Sequence, residues 1–529
     1  VLFKNTVRPL LIEFEKALAK YCGVKYAVVV CNGTAALHLA YSAVGLRKGD
    51  EAITSPNTFV ATTNMLLNLG VKPVFCDIRP DTYNLDEAKI EKLINKKTKA
   101  VVPVHFAGQP CEMGIIHKIA KKYKLSVIED ACHALGAKHR GLKIGNCRYS
   151  DMAVFSFHPV KSITTGEGGA ILTNHRKYYE KLISLRNHGI RKDKKGKNVM
   201  VALGYNYRMT DIQAALGISQ FKKLESFVKK RHQVAEWYKQ ELKNVKQIIL
   251  PLELKGNFSS WHIYVIRVAS ANDRDKLAVY LKSKGIGVNF HYPAVYSHIF
   301  YKRHGYDGVK LNHEENYCNY SLTLPCFPDL GADEVKYICN KIKDYYADKK
   351  IFENYKNSKA VIAGERIYLK LMQTKNATPE YCNWLNDPEV NKYLKTRHSS
   401  IKQLKEFVQK QINNPNSLFY GIFDKENNKH IGNVKLEPID WKKKKCIFGM
   451  LIGNKNYWEK GFGTEVARLI VEYAFHRLGL NKIELAVTAN NKRAIRVYKK
   501  VGFKVKEIKK ELNRDGILSD GVIMAIKNK

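Results

Sequence analysis

No window of the chain approaches the run of about 18 apolar residues that a membrane-crossing helix needs, so no span is expected. No signal-peptide pattern opens it, and its first residue is Val1 rather than methionine, so a segment upstream is expected to be missing. Cysteine forms no CxxC pair and no metal-ligand spacing. The eleven present are an odd number and scattered, which fits reduced thiols in the cytoplasm rather than a disulfide framework or a zinc site. No metal is expected. Acidic charge is scarce: 49 Asp and Glu stand against 90 Lys and Arg, a formal charge of +41. Such an excess fits an anionic partner. The simpler source is a lysine-rich composition, because the lysines are spread along the chain. The dense patches RKDKKGK (191–197) and KKKK (442–445) fall in turn-like stretches. Neither a nucleic-acid nor a membrane partner is expected.

What is present is a long, ordinary globular composition. At 529 residues, 45% hydrophobic and 26% charged, the chain exceeds one core, and two or three domains are expected. Between 24 and 187 short apolar runs alternate with stretches of helical period. Strands are expected at YAVVV (26–30), EAIT (51–54), KPVFCDI (72–78), AVVPVHF (100–106), LSVIED (125–130), DMAVFSF (151–157) and GAILTN (169–174). That alternation predicts an α/β fold, a mainly parallel sheet with helices on both faces. Helices dominate from about 210, and a smaller mixed region runs from about 260 to 345. A lysine-rich, weakly periodic stretch (344–365) then reads as a boundary, because RIYLKLM starts a fresh pattern.

One lysine stands out. Lys161, in FSFHPVKSITTGEGGA (155–170), lies between an apolar strand and a glycine-rich run. An amine held in a dry, apolar site gives up proton affinity and becomes a nucleophile. Schiff-base chemistry with pyridoxal phosphate needs such a lysine, an anion against the ring nitrogen, a phosphate cradle and flat groups against the ring. Asp130 ends the strand LSVIED, where open parallel sheets bind ligands. In YAVVV-CNGT-AALHLAYSAV, Gly33 permits a tight turn, and the amides around Thr34 and Ala35 open a helix suited to phosphate. Each feature alone has a bland explanation, a surface lysine or a helix cap; their order together does not.

With NGTAALHLA (32–40), SPNTFVATTN (55–64), IEDACHALGA (128–137), the Lys161 segment, RNHG (186–189) and GYNYRMTDIQAALG (204–217), residues 8–345 resemble the DegT/StrS-type sugar-nucleotide aminotransferases. The resemblance implies the fold-type I pyridoxal phosphate architecture with a small C-terminal subdomain, and a homodimer with its sites at the subunit interface. It implies a large subdomain over about 1–220 and a small one over 221–345. By position, Lys161 is the Schiff-base lysine and later the base that moves the substrate proton; Asp130 keeps the ring nitrogen protonated. Phe59 and His133 sandwich the ring. Thr34, Ser156 and the Gly33 amide hold the phosphate, with Asn206 from the second subunit. His188, Arg208, His291 and Tyr292, the last two in HYPAVY (291–296), are expected to meet the substrate. TTGEGG after the lysine resembles the PseC-like members, which aminate a 4-keto sugar with glutamate on the way to pseudaminic acid. Family members carry some thirty residues before the position of Arg8 that shape the sugar site, and these are not in this chain.

A second pattern occupies 365–529, beyond an expected linker at 346–364. NYWEKGFGT (456–464) reads as a glycine loop between strand CIFGMLIGN (446–454) and helix EVARLIVEYAFHRL (465–478). Gly461 and Gly463 let loop amides converge on a pyrophosphate. Strand KIELAVTA (482–489) and NNKRAIRVYKKVGF (490–503) follow at the right distance. With WLNDPEVNKYL (384–394), these segments resemble the RimJ-like GNAT acetyltransferases, which implies acetyl-CoA as donor. Met450 to Ile452 then line the pantetheine. Lys460, Gly461, Phe462, Gly463 and Thr464 hold the pyrophosphate, and Asn491 fixes the cofactor end. Tyr498 is the general acid for the departing thiolate, or a helix-face core aromatic. Trp458 stands where the wider GNAT pattern has Arg or Gln, as it does in many RimJ-like proteins. No base is assigned.

An aminotransferase makes a primary amine and a GNAT acetylates one. The two resemblances together imply amination of UDP-4-keto-6-deoxy-L-N-acetylaltrosamine, then N-acetylation of the 4-amine. Another 4-amino sugar (bacillosamine, viosamine or aminoarabinose type) and acetylation of protein amino termini remain alternatives, ahead of a non-catalytic sugar-binding role.

Overall fold

The computed structural model describes residues 9–357, 361–394, 398–512 and 518–528. The position of Arg8 and residues 358–360 of the expected linker lie outside the described residues. The chain divides into two compact units, Val1–Tyr345 and Tyr346–Lys529.

In the first unit, helix α1 (Pro9–Cys22) precedes strand β1 (Tyr26–Val30) and helix α2 (Gly33–Val44). Strands β2 (Glu51–Thr54), β3 (Lys72–Phe75), β4 (Thr98–Val102), β5 (Ser126–Asp130), β6 (Met152–Ser156) and β7 (Gly169–Thr173) complete a seven-stranded sheet of order β1-β7-β6-β5-β4-β2-β3. β6, β5, β4, β2 and β3 pair in parallel, while β7 is antiparallel to both β1 and β6. Alternate side chains enter two cores: Val28 and Val30 join one with Leu37 and Tyr41 of α2, Ala27 and Val29 the other with Phe14 and Leu18 of α1. That is the two-faced burial of a parallel sheet.

Most of the expected strands are trimmed at their ends, and two stop well before the position read. AVVPVHF stops at Val102 because Pro103 has no amide for the ladder. KPVFCDI stops at Phe75; Asp77 then turns its carboxylate on the amide of Ile78, a local bond that competes with pairing. Beyond the sheet, helix α3 (Leu224–Leu242) leads to an antiparallel three-stranded sheet of β8 (Ile248–Ile249), β9 (Tyr264–Val268) and β10 (Ser321–Leu324), order β8-β9-β10. Tyr238 of α3 stacks on Tyr264 with ring centres 4.8 Å apart. Helix α4 (Ala332–Asn357) runs through the first part of the expected linker, since lysine and glutamate favour helix even where apolar period is weak.

The second unit is an eight-stranded sheet. Its strands are β11 (Ile362–Ala363), β12 (Ile367–Leu371), β13 (Leu418–Asp424), β14 (His430–Asp440), β15 (Lys445–Ile452), β16 (Lys482–Thr488), β17 (Lys504–Leu512) and β18 (Leu518–Lys527), in order β11-β12-β13-β14-β15-β16-β18-β17. Helix α5 (Phe462–His476) and helix α6 (Lys492–Val501) flank β16 in sequence. KKKK makes the turn between β14 and β15, and RKDKKGK makes an exposed hairpin tip. Among the described residues no helix is long and apolar enough to cross a membrane.

Candidate active site

Parallel pairing sets Asp130 beside Val154, so the carboxyl ends of β5 and β6 lie together. The Asp130 carboxylate is buried and spoken for: Thr62 Oγ1 donates to Oδ2 at 2.7 Å and the Cys132 amide to Oδ1 at 3.2 Å. Lys161 lies in the turn after β6, its amide bonded to His158 O. Burial pushes its ammonium below the usual lysine value, against the opposing pull of Cys132 and Asp130. The lysine is thereby disposed to lose its proton.

Around it are neutral histidines. His133, His262 and His291 are all held below the ordinary imidazole value, chiefly by burial and further by the nearby lysine. His133 Nε2 meets the Tyr292 hydroxyl at 3.1 Å, and burial holds that phenol protonated. His262 lies with its ring 4.3 Å from that of His133. His291 Nδ1 meets Thr323 Oγ1 at 3.0 Å. Phe59 is 58% exposed, with its ring 6.2 Å from Tyr292.

At the expected phosphate cradle the end of β6 and the start of α2 come together. A Cβ on Gly33 would stand 2.8 Å from Ser156 Cβ, so the strand end and the helix start touch only because Gly33 has no side chain. Asn32 caps α2 by accepting from the Ala35 amide at 2.8 Å. The expectation for the amides around Thr34 and Ala35 is therefore corrected: Ala35 is already used. Those of Gly33, which is buried, and Thr34, whose side chain is exposed, have no partner among the described residues.

His188 and Asn206 are exposed, with His188 bonded to Tyr205 O and Asn206 bridged to Asn187. Their contacts among the described residues do not reach Lys161. Arg208 donates to Asn187 Oδ1 at 2.6 Å. His291 and Tyr292, by contrast, are brought to the Lys161 group. Sequence reasoning missed Thr62, although it lies in SPNTFVATTN, and it missed His262, which only a histidine before strand β9 could have flagged.

In the second unit β15 and β16 pair in parallel only from Lys445 to Ile447 with Lys482 to Glu484, then part. Gly449 to Ile452 therefore edge a wedge. Helix α5 starts at it: a Cβ on Gly463 would lie 3.5 Å from Met450 Cε and 3.9 Å from Val497 Cγ2. Gly461 supplies the left-handed turn, φ +85°, ahead of Phe462. Arg366 donates to Lys460 O at 3.0 Å, pairs with Glu465 at 3.0 Å and lies over the Phe462 ring. Thr464 returns its amide to Gly461 O at 3.0 Å. Tyr498, next to Val497, packs edge-on to Phe448, and burial pushes its phenol up to about 12. Ile452 O accepts from Trp458 Nε1 at 2.8 Å, and Arg493 covers the Trp458 ring. Asn491 acts as the cap of α6, accepting from Ala494 at 3.1 Å; its side-chain oxygen is thus committed to the helix.

Residues 5–343 match the model of the DegT/DnrJ/EryC1/StrS aminotransferase family. The chain belongs to that family. Residues 366–504 match the acetyltransferase (GNAT) domain. The chain is 39% identical over 332 residues to UDP-4-amino-4,6-dideoxy-N-acetyl-beta-L-altrosamine transaminase of Campylobacter jejuni, covering 62% of this chain and 87% of that protein. Among solved structures it is similar to Helicobacter pylori PseC, an aminotransferase involved in the biosynthesis of pseudoaminic acid, at 35% identity and TM-score 0.61, over 63% of this chain and 90% of that one. It is also similar to NtdA of Bacillus subtilis, solved with bound cofactor PMP, at 32% identity and TM-score 0.57, over 63% and 77%. The first unit has the fold-type I architecture and the second is a GNAT domain.

The residues fit a pyridoxal phosphate group on the structure's own terms. The start of α2 at Gly33 closes on Ser156 too tightly for any Cβ, a buried carboxylate acts on the lysine, and His133 Nδ1 is buried without a partner among the described residues.

Two outcomes follow from this geometry. Gly33→Ala should raise the dissociation constant for pyridoxal phosphate at least about tenfold, because the methyl group meets Ser156; absorbance titration of the apo chain measures it. The three histidines stay neutral when folded, whereas the unfolded chain takes protons on them below their ordinary value of 6.5. Stability should therefore fall as pH drops below 6.5, by up to about 1.4 kcal/mol per pH unit for each histidine. Denaturant unfolding at stepped pH, with His262→Gln flattening the slope, checks it.

Proposed function

We propose that the chain aminates a UDP-4-keto-6-deoxy-L-N-acetylaltrosamine with L-glutamate as donor and then N-acetylates the 4-amine, a sequence that belongs to pseudaminic acid biosynthesis. The chain is a pyridoxal phosphate aminotransferase fused to an acetyl-CoA-dependent N-acetyltransferase. The observation that carries the reading is this pairing: one unit creates a primary amine and the other consumes one. The likeness to the altrosamine transaminase and to PseC supports the choice of sugar.

Pyridoxal phosphate, when bound, supplies an electron sink for bond changes at the carbon bearing the nitrogen. Asp130 would hold its ring nitrogen, Phe59 and His133 its faces, and Gly33, Thr34 and Ser156 its phosphate. Lys161 would do the proton work at the substrate carbon, because burial lowers the proton affinity of its amine and so frees it to act as a base. Thr62 and the Cys132 amide fix the Asp130 carboxylate in one orientation. The neutral imidazole of His133 adds no charge to compete with Lys161. His188, Arg208, His291 and Tyr292 would contact the sugar nucleotide, and Asn206 would reach across from a second copy of the chain.

In the acetyltransferase, Met450 and Ile452 edge the wedge that would take pantetheine. Lys460 to Thr464 would take the pyrophosphate, with Asn491 near the cofactor end. Tyr498 stays protonated across the working range, so it can give its proton to the departing thiolate.

The test supplies the 4-keto sugar, L-glutamate, pyridoxal phosphate and acetyl-CoA to the purified full chain and follows products by mass spectrometry. Amine and then acetamide should accumulate. Lys161→Ala should make neither from the keto sugar, yet acetylate amine supplied ready-made. Tyr498→Phe should make the amine at the normal rate and acetylate it roughly 100-fold more slowly. Preference for a bacillosamine-type keto sugar would overturn the sugar, and acetylation of a peptide amino terminus in place of the sugar amine would overturn the second half.

A further inference from the structure

Arg231 is a cation in the wrong surroundings. It sits in α3 at 4% exposure, and no carboxylate faces it among the described residues. Its Nη1 donates instead to three backbone oxygens: Cys326 O at 2.6 Å, His262 O at 2.9 Å and Trp261 O at 3.3 Å. Burying a guanidinium among neutral carbonyls costs desolvation that ion pairing does not return. An apolar side chain would fill the space more cheaply if packing were its only task.

The carbonyls it holds belong to a segment fastened on its other side to the Lys161 site. The Ser260 amide donates to Gly108 O at 3.1 Å, the His262 amide to Ala107 O at 2.9 Å, and Ser260 Oγ to His133 O at 2.6 Å. The fit is close: a Cβ on Gly108 would strike Ser260 Oγ and stand 3.0 Å from the Trp261 amide and 3.1 Å from His133 O. Trp261 adopts φ +46°, a left-handed conformation that a bulky residue keeps only when its surroundings impose it. Arg231 supplies part of that hold at the Trp261 carbonyl. Beyond Trp261 the His262 ring lies 4.3 Å from the His133 ring.

We propose that Arg231 is a positioning residue of the aminotransferase site: by gripping the carbonyls of Trp261 and His262 it keeps Ser260 and His262 against His133, and so fixes the His133 ring for the cofactor. The chain of contacts runs from α3 through the 259–262 segment to His133, the one member assigned to the cofactor, and Arg231 acts only through the others. The inference rests on the pyridoxal phosphate reading of the site.

The test titrates pyridoxal phosphate into the apo full chain and reads binding by absorbance, with thermal unfolding of the same apo samples. Arg231→Lys keeps the charge but replaces the planar fork with a single ammonium. Its dissociation constant should rise about tenfold, the size of effect that loss of a supporting residue has at a bound group. Ser260→Ala removes only the hydroxyl bond to His133 O and should weaken binding about threefold. The double variant should bind no more weakly than the product of the two, and closer to Arg231→Lys alone, because both act along one path. If both variants bind with the wild-type dissociation constant, whatever stability they lose, Arg231 is only a core residue and the proposal falls. Should Arg231→Lys not fold, Ser260→Ala decides: weaker binding supports the proposal and unchanged binding overturns it. A wild-type chain that binds no pyridoxal phosphate would overturn the cofactor reading and this inference with it.

Discussion

Strands β5 and β6 run parallel with Asp130 opposite Val154, and parallel strands deliver their carboxyl ends to one edge of the sheet. Everything in the first site is arranged from that edge. Asp130 arrives at the last residue of β5 and Ser156 at the last residue of β6. β7, returning antiparallel to β6, pairs Gly169 with both Ser156 and Val30. β1 is thereby placed so that the turn after it carries Gly33 against Ser156. A one-residue slip in β6 would send Ser156 to the opposite face and leave Gly33 facing nothing. The sheet register and the Gly33–Ser156 approach are the same constraint seen at two scales.

Within that frame the electrostatics are sparse. The site holds one carboxylate whose oxygens already accept from Thr62 and Cys132, one lysine that burial inclines toward neutrality, and three imidazoles that burial keeps neutral. Few free charges remain to be solvated, so the pocket can stay dry, and dryness is what makes the lysine useful. The dense basic runs form exposed turns and make none of these contacts.

The strands, the order of the motifs and the grouping of Asp130, His133 and Lys161 were legible because each is local: alternating apolar runs, a glycine after a strand, a lysine in an apolar window. Residues whose part depends on long-range packing were not. Arg231 reads in sequence as one more basic residue of a surface helix, and only its three distant carbonyl partners distinguish it. His262 reads as a strand-edge polar residue until the fold sets it against His133. Asn491 shows a role the motif did not reveal: its side-chain oxygen caps the first turn of α6, which is what asparagine does at a helix start.

The two proposed phosphate sites are built by different routes with the same outcome at the backbone. At α2 an asparagine side chain takes the third amide of the first turn and leaves those of Gly33 and Thr34 open. At α5 no side chain caps the helix: Gly461, in a left-handed turn, accepts from Thr464, and the amides of Phe462 and Gly463 are left open among the described residues. Both starts present two adjacent donors at the positive end of a helix. What differs is the wall beside them. At α2 it is Ser156, a hydroxyl suited to a terminal phosphate. At α5 it is Met450 and Val497, apolar atoms close to where a Cβ on Gly463 would stand, which suit a phosphate carrying a long organic arm. The wall, more than the helix start, would therefore separate the two proposed ligands.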